Sequence, residues 1–473
     1  MFIGREEEIK AIERIINQKG YRGSVIYGRR RLGKTELLKH CLLNRSIPCI
    51  FYQCVQENEK ENVARLTRQA EKVFGLSHLS FDGFTDVVEF IFEQSINKEI
   101  YLVIDEYPYI RKMISGLDSK LQNIIDDYNA STNVKLFLCG SSISTMEDIL
   151  SESNPLYRRF QLKILLKEMD YYDSARFYPE FSNEDKVRLY AAFGGVPYYN
   201  CQIDNSKSVR ENIINLLSGR YSSLSEEIRV NLNEELKKIT NVNSAFSAIA
   251  SGAFHFSDIQ SKSHIESSPI LSDTLDKLLK MDLVEYVTPI NKKGNKMKSG
   301  YVISDSSTKF YYHYIHRNSN EKEIMSDDIF YDAFIKDDFE KSYVPKAFEK
   351  IAREYLIRKN KEGKINPVLE DIGTYWYDDP KNKINGQFDV VARNREGYLF
   401  YEVKFTSKPL TDSLIKEEVE QVNSTSLKAV KYGFISRSGF DLKEEYPYDF
   451  LDLSDIYYWA YHWLKRFKYV IDN

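Results

Sequence analysis

Two sets of residues combine types and spacings that suit chemistry on phosphates. The first is GRRRLGKT, Gly28 to Thr35, which fills every fixed position of GxxxxGK[ST]. Gly28 and Gly33 let backbone amides close around phosphate oxygens, with Arg29, Arg30, Arg31 and Leu32 between them. Lys34 neutralises the β and γ phosphates of ATP, and the Thr35 hydroxyl ligates Mg²⁺. The second set is Asp389, Glu402 and Lys404 within GQFDVVARNREGYLFYEVKF, residues 386–405. Two carboxylates sharing a hard divalent cation, with an amine beside it, could polarise a phosphodiester and generate hydroxide from bound water.

The elements that must position these groups follow from the pattern of apolar residues. Ser24 to Tyr27 read as a short strand before the glycine loop, and Leu37, Leu38, Cys41 and Leu42 recur at helical spacing after it. The helix start at Lys34 offers unpaired N–H groups and a positive dipole end to phosphate. A second apolar run, Tyr101 to Ile104, ends in Asp105 and Glu106. Carboxylates at the carboxyl end of a strand face the crevice where open α/β sheets bind ligands. Asp105 would hold Mg²⁺ through water, and Glu106 would orient or deprotonate the attacking water. VKLFLCGSS ends in Ser141 and Ser142, placed to sense a γ-phosphate. Strands near 24–27, 49–54, 100–104, 134–139 and 160–166, with helices between them, predict a parallel sheet covered on both faces.

In the later segment, a turn over Asn394 to Gly397 sets a hairpin register. It pairs Asp389 with Glu402, Gln387 with Lys404 and Val391 with Phe400, all on one face. Phe388, Val390, Ala392, Leu399, Tyr401, Val403 and Phe405 form the other, a core face. Carboxylates opposed at about 5 Å repel, so a cation or a proton must relieve Asp389 and Glu402.

Between these regions, helices ending near Gly252, covering Phe256 to Lys262 and starting after Pro269 precede two strands, Leu283 to Thr288 and Gly300 to Ser304. This order predicts a winged helix-turn-helix. Its tip carries Lys292, Lys293, Lys296 and Lys298 with no acid, suiting DNA phosphates. The third helix offers Asp273, Asp276, Lys277 and Lys280 but no arginine to read guanine.

Composition narrows the class. With 473 residues, 42% hydrophobic and 29% charged, the chain can build several cores. A net charge of −4 excludes a global positive field, so any nucleic-acid contact is local. Five scattered cysteines without metal spacing suit a reducing cytosol, and no apolar run approaches a membrane span. A cytoplasmic location is expected.

Taken in order, FIGREEEI, YGRRRLGKT, LVIDEYPYI, FLCGSS, NPLYRRF and AAFGGVPYY resemble an archaeal-type ATPase family of the STAND-like branch of AAA+ P-loop ATPases. The resemblance implies that Gly4 and Arg5 lie near the adenine. It also implies that Gly194 to Pro197, with Gly195 and Pro197 foremost, contact nucleotide from a helical lid. Arg158 or Arg159 would reach the γ-phosphate of their own or a neighbouring subunit, which leaves room for a homo-oligomer. The D-x12-E-x-K spacing resembles the PD-(D/E)XK nuclease superfamily, and the ATPase family often ends in such a domain. By that resemblance Glu349, in KAFEKIAREYL, joins Asp389 and Glu402 at the metal. Phe388 replaces the superfamily's proline, Gln387 stands where relatives often have an acid, and Gln421 has no tyrosine four residues on.

The expected fold is α/β and multidomain. It comprises a P-loop ATPase core (1–165), a helical lid (166–230), a winged helix (231–318) and an α/β restriction-endonuclease-like domain (319–473). The expected function is an ATP-hydrolysing switch gating a DNA-directed, Mg²⁺-dependent nuclease activity. The alternative is a signalling or scaffold ATPase whose C-terminal parts bind DNA or protein without cutting.

Overall fold

The structure, a computed structural model, describes residues 2–96, 98–236, 241–379 and 384–458. The chain divides into two compact units, 1–168 and 169–473.

In the first unit, β1 (Arg22–Tyr27), β2 (Cys49–Gln53), β3 (Ile100–Asp105), β4 (Val134–Gly140) and β5 (Leu162–Leu165) form one sheet in the order β2-β3-β4-β1-β5. Every pairing is parallel. β3 and β4 are buried along their whole length, which is why they read as unbroken apolar runs. Parallel neighbours require crossovers, and helices supply them. One is Phe84–Gln94, which buries Phe84, Val87, Val88, Ile91 and Phe92. Because the strands run the same way, the loop after β1, Asp105 at the end of β3 and Ser141 after β4 share one sheet edge. The five strands fall where the apolar runs predict them.

The second unit begins with helices. Asn183–Phe193 is buried on all sides over its second half, from Leu189 to Phe193. Later, helices Val242–Ala250, Phe256–Ser263 and Ser268–Lys280 precede an antiparallel pair, β6 (Val284–Val287) and β7 (Gly300–Ile303). Next comes a long helix, Val344–Lys361.

The remaining strands are β8 (Asp371–Asp379), β9 (Ile384–Asn394), β10 (Gly397–Lys404), β11 (Leu410–Thr411), β12 (Ala429–Ser436), β13 (Phe440–Asp441) and β14 (Asp449–Asp452). Five of them form a mixed sheet in the order β14-β12-β10-β9-β8. The β8/β9 and β9/β10 pairs are antiparallel, and β10/β12 and β12/β14 are parallel. Among the described residues, no helix is long and apolar enough to cross a membrane.

Two details depart from expectation. The β9/β10 register is the predicted one, from Gly397 with Asn394 to Tyr401 with Val390, but the ladder ends there. On the other side of β9, Gly373 pairs with Val391 and Tyr375 with Phe388. Asp389 and Val390 therefore oppose Thr374 alone, which is a β-bulge. The extra residue breaks the alternation, so Phe388 joins Val391 and Phe400 in one core instead of facing away from them.

The second departure is the lysine-rich tip after β6. It lies along β8, with Ile290 N donating to Thr374 O at 2.8 Å. The Asn291 side chain accepts from Trp376 N and donates to Trp376 O at 3.0 and 2.7 Å. Lys293 pairs with Asp371 at 2.6 Å, and the Lys298 amine sits 3.7 Å from the centre of a Trp376 ring. Two of the four lysines expected on DNA phosphates are thus engaged within the chain.

Candidate functional sites

The loop between β1 and α2 (Lys34–Leu42) turns through positive φ at Gly28 (145°), Arg31 (68°) and Gly33 (84°). A side chain at Gly28 would meet Leu166 O at 2.3 Å, so glycine is required there for packing as well as for conformation. Lys34 is 6% exposed, and its amine donates to Gly28 O and Arg29 O at 2.8 Å each. Gly33 caps α2 with no side-chain hydrogen bond, leaving helix-start amides to an anion. Arg30 donates to Tyr109 OH at 3.2 Å, and Arg29 lies 3.5 Å from Glu168. Arg5 is buried at the start of α1 (Glu6–Ile16) and donates to Leu32 O and Lys167 O at 3.3 and 2.7 Å. It therefore braces the loop, and Gly4 is buried beside it.

The acidic pair lies within reach of this loop. Thr35 Oγ1 donates to Asp105 Oδ2 at 2.7 Å, and Asp105 Oδ1 accepts from Glu106 N at 2.9 Å. A hydroxyl and a carboxylate at this separation are the hard oxygen donors Mg²⁺ takes, so the residues fit a Mg²⁺–nucleotide. Glu106 adopts φ 53° and ψ 42°, a left-handed conformation that costs a non-glycine residue free energy and marks functional positions. Its carboxylate accepts from Ser141 Oγ at 2.9 Å and Ser141 N at 3.3 Å. The expected sensor and the expected catalytic acid are therefore direct partners.

Arg158 and Arg159 lie elsewhere. They precede β5, where Gln161 N donates to Gly23 O at 2.9 Å. Gly23 is near the start of β1, about five residues or roughly 17 Å of strand from the loop. Arg158 thus stands at the opposite sheet edge from its own phosphate loop, over the Tyr157 ring. Arg159 is paired with Asp126 at 2.9 Å. Contact with the γ-phosphate of the same chain is corrected accordingly.

Gly195 and Pro197 belong to the second unit. A side chain at Gly195 would come within 1.9 Å of Met169 O, and Met169 N donates to Gly195 O at 2.8 Å. Close backbone packing accounts for the glycine, and Pro197 begins a short helix.

At the C-terminal hairpin, lysines are paired with the expected ligands. Lys346, on Val344–Lys361, lies 3.2 Å from Glu349 and 3.3 Å from Asp389. Lys404 lies 2.6 Å from Glu402 and 3.0 Å from Glu418. Asp389 also accepts from Gln387 at 3.3 Å, and its carbonyl from Arg353 at 2.9 Å. Among the described residues, no three His, Cys, Asp or Glu converge as metal ligands. Glu349, Asp389 and Glu402 are close enough to repel but do not form one cage.

Burial, then the Asp389 charge, pushes the Glu349 carboxyl up to about 7. Burial, then Glu418 and Asp389, does the same for Glu402, also to about 7. Burial opposes the Lys404 ammonium, but Glu402 and Glu418 outweigh it and raise its pKa. Glu418 escaped the sequence reading. Its signal was an acid sharing a helical face with the buried Ile415 and Val422.

A pH dependence follows. Glu349 and Glu402 keep protons in the folded state that the unfolded chain, near pH 4.3, has released. In chelator, the contribution of these two groups to stability is greatest below that value and falls as pH rises to about 7. The shift sets an upper bound of about 4 kcal/mol per group, less for a coupled pair. Glu402→Gln should flatten the fall, read by thermal denaturation between pH 4.5 and 7.5. An unchanged slope in that variant would count against the assignment.

A parallel sheet with this loop after β1, an acidic pair closing β3 and a serine after β4 defines a P-loop ATPase domain. A family described as "ATPase domain predominantly from Archaea" matches residues 2–203, and one described as "Archaea bacterial proteins of unknown function" matches 311–422. An uncharacterized protein of Methanocaldococcus jannaschii is 30% identical over 421 residues, covering 88% of this chain and 90% of that protein. The chain belongs to this archaeal ATPase family. An uncharacterized ATP-binding protein of the same organism is 45% identical over 47 residues, 10% of this chain and 80% of that protein. The solved Walker-type ATPase of Pyrococcus abyssi is similar at a TM-score of 0.50 and 19% identity, over 66% of this chain and 96% of that one. That likeness concerns fold.

Proposed function

We propose that this ATPase is an AAA+, STAND-like switch in which ATP turnover gates a DNA-directed, Mg²⁺-dependent nuclease activity of the C-terminal domain. The observation that carries the reading is the joined set Lys34, Thr35–Asp105 and Glu106–Ser141. Lys34 would neutralise the β and γ phosphates, Thr35 and Asp105 would hold Mg²⁺, and Glu106, steadied by Ser141, would orient the attacking water. Mg²⁺ supplies charge neutralisation on the phosphate oxygens.

At the far end, the same proposal gives Asp389, Glu402 and Glu349 a second divalent ion, which requires Lys346 to leave Glu349 and Asp389, with Lys404 beside the scissile phosphate. A homo-oligomer in which Arg158 or Arg159 approaches a neighbour's nucleotide is part of the same proposal, and for Arg159 it requires release from Asp126. The lid, the winged helix and the cytoplasmic location belong to the same proposal. The test is cleavage of plasmid and oligonucleotide DNA with Mg²⁺ or Mn²⁺, with and without ATP. No cleavage under any condition would overturn the nuclease half.

A second reading, binding without cutting, is favoured by Lys346. Its ammonium already bridges Glu349 and Asp389, where a metal would otherwise be needed.

If the winged helix binds DNA, Lys292 and Lys296 carry the contacts, because Lys293 and Lys298 are engaged on β8. Changing Lys292 and Lys296 to serine should lower the slope of log affinity against log salt by about two. A slope that does not move would make the tip a packing element alone.

A further inference from the structure

A cavity of about 310 Å³ in the second unit is walled by Gly252, Phe254, Tyr301, Lys309, Tyr343 and Lys346, among others. Lys309 is half-buried, with its amine 5.3 Å from the centre of the Tyr343 ring. Among the described residues, no carboxylate lies within ion-pair distance of it. Burial, then Lys350 and Lys346, push its amine down to about 8, with Glu349 opposing them only in part.

The acid on the cavity wall is already committed. Asp338 accepts from Tyr314 OH at 2.7 Å and lies 2.9 Å from His313 Nε2, whose other ring nitrogen is 2.7 Å from Ala250 O. One end of the cavity therefore carries a cation with no carboxylate in contact, and a buried charge without a close partner is costly. Phe254, Tyr301 and Tyr343 line the same space with aromatic surface. The volume exceeds that of a lone phosphate and sits at the small end of ligand sites.

We propose that this cavity binds a phosphate monoester on a nucleoside, with Lys309 taking the phosphate and the aromatic wall taking the base. Its source is either a free mononucleotide or the phosphorylated end of a nucleic acid strand. Base stacking on aromatic rings combined with a cation at the phosphate is a recurring solution for such ligands. The site does not depend on cleavage, although Lys346 on its wall also pairs with Glu349 and Asp389.

The test uses the full chain carrying Lys34→Ala, so that the phosphate loop does not contribute. Adenosine, guanosine, cytidine and uridine monophosphates are titrated calorimetrically. A 12-nucleotide single strand is compared with and without its 5′-phosphate by fluorescence anisotropy. At least one of these probes should bind, its affinity falling at least tenfold with Lys309→Met and surviving with Lys309→Arg. A mononucleotide signal assigns a free ligand, and a gain from the 5′-phosphate assigns a strand end. Lys309→Met should also melt no lower than its parent, since it removes an unpaired charge. A folded Lys309→Met chain that binds every probe as its parent does would overturn the proposal, as would no binding of any probe to the parent.

Discussion

Lys34→Ala is expected to remove nucleotide binding, with affinity falling by at least 10²-fold, or about 3 kcal/mol, as when a desolvated charge partner is truncated. The Lys34 amine already sits in the loop, held by Gly28 O and Arg29 O at 2.8 Å, so it meets β and γ oxygens without searching. Glu106→Gln should behave differently. It leaves the cradle intact and keeps an oxygen for Ser141, but it removes the carboxylate that orients water. Binding should be retained while turnover falls on the order of 10²–10⁴-fold. The pair of variants is read by nucleotide titration and single-turnover hydrolysis. Unchanged affinity in Lys34→Ala would sink the loop assignment, and unchanged turnover in Glu106→Gln would remove Glu106 from the chemistry.

Asp389→Asn is expected to abolish any DNA cleavage and to weaken Mn²⁺ binding by at least about 10²-fold, more than loss of a supporting group costs, while ATP turnover persists. Asp389 is the acid that repels both Glu349 and Glu402, so it stands between the other two expected ligands. The same position gives the competing outcome a clear signature. If Lys346 and protons are the permanent answer to the crowded carboxylates, the neutral amide relieves Glu349 and Glu402. The variant should then be as stable as its parent or more so, and neither protein should bind Mn²⁺. Titration with Mn²⁺ alongside thermal denaturation separates the two results.

The reach of the sequence differed between the two ends. GRRRLGKT and LVIDE announce their geometry because strand, turn and helix signals are local, and parallel order then places Asp105 and Ser141 beside the loop. The β9/β10 register was equally legible from Asn394 and Gly397. The bulge at Asp389 and Val390 was not, since it arises from pairing with β8, and strict alternation was assumed. Nor could sequence show that Arg158 lies at the wrong sheet edge for its own loop, because that depends on which end of β5 it precedes. Lys346 and Glu418 were missed for a shared reason: each is a charge on a helix that meets an acid or amine of the hairpin, Asp389 or Lys404, brought to it only by the fold. The engagement of Lys293 and Lys298 belongs to the same class, because Asp371 and Trp376 are far away in the chain.

The docking of the lysine-rich tip on β8 has a practical consequence for dissecting the protein. β8 is the outer strand of its sheet, and Ile290 and Asn291 cover its open hydrogen-bonding side. Uncovered strand edges recruit other strands and drive self-association. A fragment cut at residue 319 would expose Thr374 and Trp376 along that edge and should aggregate. A fragment beginning ahead of β6 carries its own cover and should stay dispersed. The segment that looks like a reader of DNA is thus also a guard for the sheet behind it.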